Sequence, residues 1–244
     1  MNMIFIGMVF ELICLCAGSI ILILAFLKYI HSKNRLTFIL FLIFLSFMTG
    51  LFFSWLSKVI VLTTEYDYVY NQPSGYPKSP NSWIILRIVN FRISIVFVSI
   101  AILFSYILKI SIFEIDISKN QKILVYGFTL FTCIFSFFIY QRGNTLLDSL
   151  NFLFILLFVV IVYFPFLLKC ISSYRTVSNP NLKKRFLSLS LMNFSFLLIL
   201  FMFLIDRLTI LMQISDGFTI FYFLGWILTL FGMLCAYFGY LKTD

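Results

Sequence analysis

Histidine is almost missing from this chain: His31 is the only one in 244 residues. A single imidazole excludes bis-histidine haem and leaves no histidine ligand set for metal catalysis inside a membrane. No Gly-x-Ser-x-Gly elbow, no paired intramembrane aspartates and no phosphate-binding glycine loop occurs either. The expectation is therefore no enzyme, and no cofactor is implied. Cysteine is sparse, with Cys14, Cys16, Cys133, Cys170 and Cys235 all in or beside apolar stretches. None lies in a loop expected outside, so no stabilising extracellular disulfide is available. Cys14 and Cys16 are two residues apart, which on a helix turns the thiols about 200° from each other. They cannot share a metal, and all five read as small apolar packing residues. Charge is scarce as well, at 11% of residues, against about a quarter in a soluble domain.

What fills the chain instead is hydrophobic, at 62%. Seven apolar stretches stand out, at about 3–27, 37–62, 83–108, 123–140, 149–168, 186–210 and 217–240. Each is at or near the roughly 20 residues that span a bilayer core. The first lacks a basic leader and a small-x-small cleavage site, so it reads as a retained helix rather than a signal peptide. Residues 1–244 are thus expected to form one all-α, seven-helix transmembrane domain, with no room between spans for a second.

The basic residues alternate between gaps. The odd gaps and the C-terminus hold Lys28, Lys33, Arg35, Lys109, Lys119, Lys122, Lys169, Arg175, Lys183, Lys184, Arg185 and Lys242, against the acids Glu114, Asp116 and Asp244. The six other basic and six other acidic residues cancel. Basic flanks mark the cytosolic side, so the N-terminus is expected outside and the C-terminus in the cytosol. The expected location is the plasma membrane, with an organellar inner membrane as the alternative. The net charge of +9 falls on one side, which fits anionic lipid headgroups and not nucleic acid. The cluster Lys183, Lys184 and Arg185 is first a topology anchor and second a candidate dock for a cytosolic or membrane protein partner. The Ser-Asn-Pro turn before it leaves Asn181 as the expected cap of the sixth span.

Ionisable residues inside spans are costly and mark candidate sites. Glu11 and Arg92 lie eight to nine residues into the first and third spans, ~12–14 Å deep at 1.5 Å per residue. Equal depth and opposite sign predict a Glu11–Arg92 pair. Lys58, Arg87, Asn90, Asp206 and Arg207 lie nearer the same face, with Asp206 placed to meet Lys58 or Arg87. Basic residues outnumber acids there, as a pocket for an anionic ligand would require; the alternative is a set of interhelical polar clamps, with Lys58 and Arg207 snorkelling to the interface. Thr129, Thr132, Cys133 and Ser136 form a modest polar stripe on the fourth span, and Asn151 and Asn193 add single amides. The only long external gap, TTEYDYVYNQPSGYPKSPNS, carries Tyr66, Tyr68, Tyr70 and Tyr76 just before Trp83. It reads as a strand or lid, or as an interfacial tyrosine belt.

Three internal likenesses point to a parallel repeat of helices one to three in helices five to seven. FLKYIHS (26–32) resembles LLKCISS (167–173), and LFFSWLSKVIVL (51–62) resembles LFMFLIDRLTIL (200–211), which sets Ser57-Lys58 against Asp206-Arg207. SYILK (105–109) and GYLK (239–242) end the third helices. Parallel repeats occur in transporters.

Seven helices with an external N-terminus are similar to rhodopsins and G-protein-coupled receptors, but the seventh span has no mid-helix lysine for retinal. Asp206-Arg207 matches the receptor triplet only in letters. The three-one-three repeat is similar to that of sugar-transporting SWEET proteins, without their Pro-Gln pairs. YRTVSNPNLKKRFLSLSLMNF (174–194) resembles the polar turn and basic helix start in seven-helix sensing regions of prokaryotic histidine kinases and related archaeal membrane proteins. That resemblance implies a receptor-like sensor module that signals through a separate partner. A small-solute transporter or channel, and a non-catalytic subunit of a larger membrane complex, remain alternatives.

Overall fold

The computed structural model describes residues 3–72, 80–114 and 118–241; Ser74, Gly75, Tyr76, Lys78, Asp116, Lys242 and Asp244 lie outside them. Among the described residues, eight α-helices occur in the order α1 (Met3–Ser32), α2 (Arg35–Thr63), α3 (Pro80–Val89), α4 (Arg92–Phe113), α5 (Lys119–Phe138), α6 (Thr145–Thr176), α7 (Pro180–Leu211) and α8 (Ile220–Ala236), the last running into a π-helical turn, Tyr237–Leu241. Seven of them, all but α3, are long and apolar enough to cross a membrane. The protein is a multi-pass helical bundle embedded in a membrane.

Short polar side chains start the helices. Asn34, Ser118 and Asn144 accept backbone N–H bonds from Leu36 at 2.8 Å, Gln121 at 3.3 Å and Leu147 at 3.2 Å, satisfying amides that have no partner inside the helix. The cap of α7 is Asn179, not Asn181: its side chain accepts from Asn181 N–H at 2.9 Å and Pro180 opens the helix. Proline has no N–H to offer at that first position and fits it best, which shifts the cap two residues upstream of the expectation. Helices are also longer than their apolar cores, because α1, α6 and α7 carry polar turns beyond the hydrocarbon stretch.

One span differs more deeply. The expected continuous helix 83–108 is broken into α3 and α4 at Asn90-Phe91, where Phe91 takes a left-handed conformation (φ 60°). A bulky residue rarely adopts that geometry. The break frees the Val89 carbonyl, and Ser57 Oγ of α2 donates to it at 3.1 Å. Non-helical backbone at membrane depth is tolerated where protein satisfies it in this way.

Packing orders six helices in a ring: α1 beside α2, then α4, α6, α7 and α8, which closes on α1, while α5 lies outside against α4 and α6. Sequential neighbours such as α1 and α2 or α7 and α8 run antiparallel, since positions near Gly7 and Gly18 of α1 meet Lys58 and Met48 of α2, and Gly225 and Gly232 of α8 meet Phe203 and Phe196 of α7, whereas α4 beside α6 and α8 beside α1 run parallel. The neighbour pattern is unchanged when α1, α2 and α4 are exchanged with α6, α7 and α8. Two three-helix arcs, α1–α2–α4 and α6–α7–α8, therefore face each other, with α5 as the link. The apolar interior includes Phe44, Phe47, Phe158, Tyr163, Phe166 and Phe196. Outward faces carry large apolar side chains such as Ile13, Ile20, Ile123, Leu130 and Phe138, which suit lipid contact.

Candidate functional site

All the intramembrane charge gathers at the end of the ring where α1, α4, α6 and α8 begin and α2 and α7 finish, here called the polar end. The expected Glu11–Arg92 pair does not form. Arg92 is on α4 and Glu11 on α1, and α2 stands between them in the ring, so depth alone did not make them neighbours. Glu11 instead pairs with Lys58 of α2, Oε2 to Nζ at 2.8 Å, both fully buried. Its other oxygen accepts from Ser54 Oγ at 2.6 Å and from the Tyr222 hydroxyl of α8. Lys58 Nζ also donates to the Ser54 carbonyl at 3.0 Å. It lies 4.8, 5.4 and 5.0 Å from the ring centres of Phe91, Phe218 and Tyr222, an aromatic box that solvates a desolvated ammonium.

Arg92 pairs with Asp148 of α6, Nε and Nη2 reaching Oδ1 at 3.0 and 2.6 Å. Asp148 sits in the first turn of α6, just ahead of the apolar run, where it reads in sequence as a loop charge. That position hid it, although an acid at a helix N-terminus is favourable. Asp206 meets neither Lys58 nor Arg87. Its Oδ1 accepts from Thr219 N–H at 2.9 Å and Thr219 Oγ1 at 2.7 Å, tying the start of α8 to α7. Arg87 spends its donors on carbonyls of Phe137 and, at 2.9 Å, Trp83, and stacks 3.5 Å over the Trp83 ring. Asn90 donates to the Tyr140 hydroxyl.

Neither Lys58 nor Arg207 snorkels. Both are buried, because the break before α4 inserts the Phe91 ring between them: Arg207 lies 4.8 Å from Phe91 and 5.4 Å from Phe152 of α6. Among the described residues, Arg207 forms no ion pair within 4.0 Å, though the Tyr70 hydroxyl is close by. Like Arg87, it is a buried cation with no carboxylate within 4.0 Å, although Asp206 and Asp148 act on it from farther off.

The tyrosine-rich loop forms no strand over 66–72; it roofs this cluster. Tyr68 stacks on Phe91 at 5.8 Å and on Tyr70 at 6.2 Å, and its hydroxyl meets Ser57 Oγ at 2.6 Å. Asn71 binds Thr145 Oγ1 at 2.8 Å and the Ile210 carbonyl at 3.0 Å, while Gln72 N–H reaches the Gly143 carbonyl at 3.1 Å. Burial pushes the Tyr68 and Tyr70 hydroxyls above the ordinary tyrosine range, so both stay neutral under the roof. Gly143 has φ +75°, and a side chain there would run into the Gln72 carbonyl; only glycine lets the roof sit this low.

Below Arg207, at the centre of the ring, is a cavity of about 40 Å³ walled by both arcs, including Ser94, Val98, Phe152, Phe203, Asp206 and Trp226. At ~10–15 Å³ for each water, that is room for about three or four waters. The Ser94 hydroxyl meets no protein acceptor with hydrogen-bond geometry, and the Trp226 indole N–H lies beside the Tyr222 hydroxyl. A second, open cleft of about 610 Å³ lies above the roof, between loop 67–72 and residues 210–216, with Asp67 and Asp216 on its walls.

No family model, no curated protein and no solved structure matches this chain. The site must therefore be understood from its own geometry. Five residues absent from the expected set complete it: Ser54, Ser57, Asp148, Phe91 and Tyr222. Serines and aromatics inside apolar runs give no signal above their background, whereas the break at Phe91 had a faint one in the polar spacing Arg87, Asn90, Arg92. The stripe on α5 contributes little: Thr129, Thr132 and Ser136 donate to carbonyls of their own helix, and Ser136 also reaches Asn151 Oδ1 at 2.8 Å. On α7, Asn193 Nδ2 meets the Cys170 thiol at 3.7 Å, at a distance from the polar end. At the opposite, basic end, Lys183 lies 5.1 Å over the Tyr174 ring.

Proposed function

We propose that this protein is a small-solute membrane transporter of three-one-three helix architecture, working by alternating access to the central cavity, with the polar end facing outside. The observation that carries the proposal is how the two arcs meet. Each of the two seams between them is fastened at the polar end by one buried link that starts from an acid on the first helix of one arc and ends on the third helix of the other. Glu11 to Tyr222 closes the α1–α8 seam, and Asp148 to Arg92 closes the α4–α6 seam. A solute site at the interface of parallel repeats, beside a discontinuous helix, is the arrangement by which repeats rock around a fixed site. In the state described here, the roof and both links are closed.

The receptor-like sensor expected from the sequence uses the same cavity and differs in the step after binding. Its support is the roof, whose bonds to Thr145 and Ile210 would transmit a ligand's arrival to α6 and α7. The basic cluster Lys183, Lys184 and Arg185 would then be the partner dock at the far end of α7.

The two readings part on access. In a background with the native cysteines replaced, Val98→Cys places a thiol on the cavity wall. A transporter exposes it in turn to impermeant thiol reagents applied from the polar-end side and, in inverted vesicles, from the basic-end side. Reaction from the polar end alone supports the sensor, and failure to react from either side in a folded protein rules out both.

A further inference from the structure

We infer that the crevice between α5 and α6, in the basic-end half of the bundle, is a binding site for one acidic phospholipid. Lys109 and Lys169 hold its headgroup phosphate, and one acyl chain lies along the bared walls. The site is apart from the central cavity and holds under either functional reading. It opens because two helices stop touching halfway along. On α5, Phe128, Phe131 and Phe135 face α6, and the run of contacts ends at Phe128, whose ring lies 5.4 Å from that of Phe158. Positions 121 and 124 continue the same stripe at helical spacing, yet Gln121 is exposed and Leu124 is 52% exposed. On α6, Asn151 and Phe158 are fully buried, while Ile161 at 39% and Pro165, one and two turns further along that face, are exposed. Among the described residues, no ring contact and no side-chain hydrogen bond joins α5 to α6 beyond Phe128 and Phe158. From Phe158 to Lys169 is ~16 Å at 1.5 Å per residue, about the hydrocarbon depth of one leaflet.

The mouth of the crevice carries the charge. Lys109 lies one turn before Phe113 on α4, which forms the floor; it is half-buried, with the Cys170 thiol of α6 near it. Lys169 stands 5.9 Å over the Phe113 ring from the α6 wall, so the two lysines meet at the end of the α4–α6 seam. Neither has an ion-pair partner among the described residues, where Glu114, exposed past the last turn of α4, is the only acid at this end. The N-terminus of α5 lies at the same mouth. Ser118 caps it by accepting from Gln121 N–H at 3.3 Å, Lys119 and Lys122 add charge there, and the helix dipole favours an anion. Lysines are compact charges with rotatable donors, so they suit a phosphate whatever alcohol it carries. The bare walls decide what the phosphate belongs to. A soluble anion would meet the lysines and leave Leu124 and Ile161 uncovered, whereas a phospholipid brings its charge to the headgroup level and its chain to the apolar stripe below.

The test uses the purified full chain in a neutral detergent, titrated with phosphatidylglycerol, with phosphatidylcholine of the same acyl chains, or with inorganic phosphate, and followed by melting temperature. The expected result is a saturable rise with phosphatidylglycerol, a much smaller one with phosphatidylcholine and none with inorganic phosphate. Lys169→Gln should raise the half-saturating concentration of phosphatidylglycerol about fivefold, and Lys109→Gln at least as much. Lys169→Arg keeps the charge and should keep the response. Leu124→Trp fills the crevice without touching a lysine and should weaken binding as well. Lys33→Gln combined with Arg35→Gln removes two exposed charges from the α1–α2 turn, on the far side of the ring, and should change nothing. An equal loss in that control and in Lys169→Gln would reduce the effect to diffuse attraction and overturn the site. So would equal responses to the two lipids, a full response to inorganic phosphate, or binding unchanged in both Lys169→Gln and Leu124→Trp. The last two variants lie at exposed positions and decide the matter even if Lys109→Gln does not fold.

Discussion

Glu11 receives donors from Lys58, Ser54 and Tyr222, so removing either charge of its ion pair strands the other in a water-poor interior. Truncating one partner of such a pair typically costs ~3–5 kcal/mol, while replacing both with apolar residues is often close to neutral. Glu11→Leu and Lys58→Leu should each lower the thermal unfolding midpoint in detergent more than the double change does. Glu11→Leu combined with Arg92→Leu should instead be additive, because those residues belong to different links. A non-additive result for Glu11 and Arg92, or an additive one for Glu11 and Lys58, would contradict the pairing described. Charged letters inside apolar runs are visible in any sequence, which is why Glu11, Lys58, Arg92 and Arg207 could be singled out without coordinates. Their partners were not visible, because pairing depends on which helices are neighbours in the ring. Depth along a helix says nothing about that.

The elements show the same division. Span positions follow from hydropathy, but the break at Asn90-Phe91 does not: Ile, Val and Phe continue on both sides, and the left-handed turn is held by tertiary contacts with Tyr68 and Ser57. The roof depends on one backbone approach. Gly143→Ala adds a methyl group where the Gln72 carbonyl lies, at a positive φ that alanine adopts only with strain. It should cost at least ~1 kcal/mol and make loop 66–72 more susceptible to protease. Gly127→Ala on α5 is the matched control. Nothing lies within 4 Å of a methyl group there, and an alanine in a helix interior is favoured by roughly 0.5–1 kcal/mol. Stability and proteolysis measured side by side should therefore move in opposite directions for the two variants; parallel changes would mean that Gly143 has no special role. Gly232 stands alone inside an apolar run, with nothing beside it in the sequence to mark a role. The structure gives its reason, since a side chain there would come within 2.6 Å of Phe196, which is packed between Phe47 and Tyr163.

For the whole molecule, the seven spans were readable, because apolar length survives in a single sequence. Ring closure was not readable, since it joins α8 to α1 through contacts that leave no local pattern. Orientation is the prediction at this scale. The basic residues of the alternate gaps share one end of the ring, and that end should face the cytosol. Ser178→Cys at the basic end should be labelled by an impermeant reagent only after the membrane is permeabilised, and Gln213→Cys at the polar end should be labelled without it. The reverse pattern would invert the proposed topology.

The two buried ion pairs also become available at different moments of synthesis. Glu11 and Lys58 are 47 residues apart and belong to the first helical hairpin, so their charges can cancel as soon as that hairpin leaves the insertion machinery. Arg92 must wait for Asp148, 56 residues later. Throughout the emergence of α5, a lone guanidinium worth ~2.5–3.5 kcal/mol against insertion has no acid to meet. The link from α1 to α8 spans 211 residues and forms last of all. Biogenesis thus has one vulnerable interval, between the arrivals of α4 and α6. In that interval α5 stands outside the ring and takes no part in its closure.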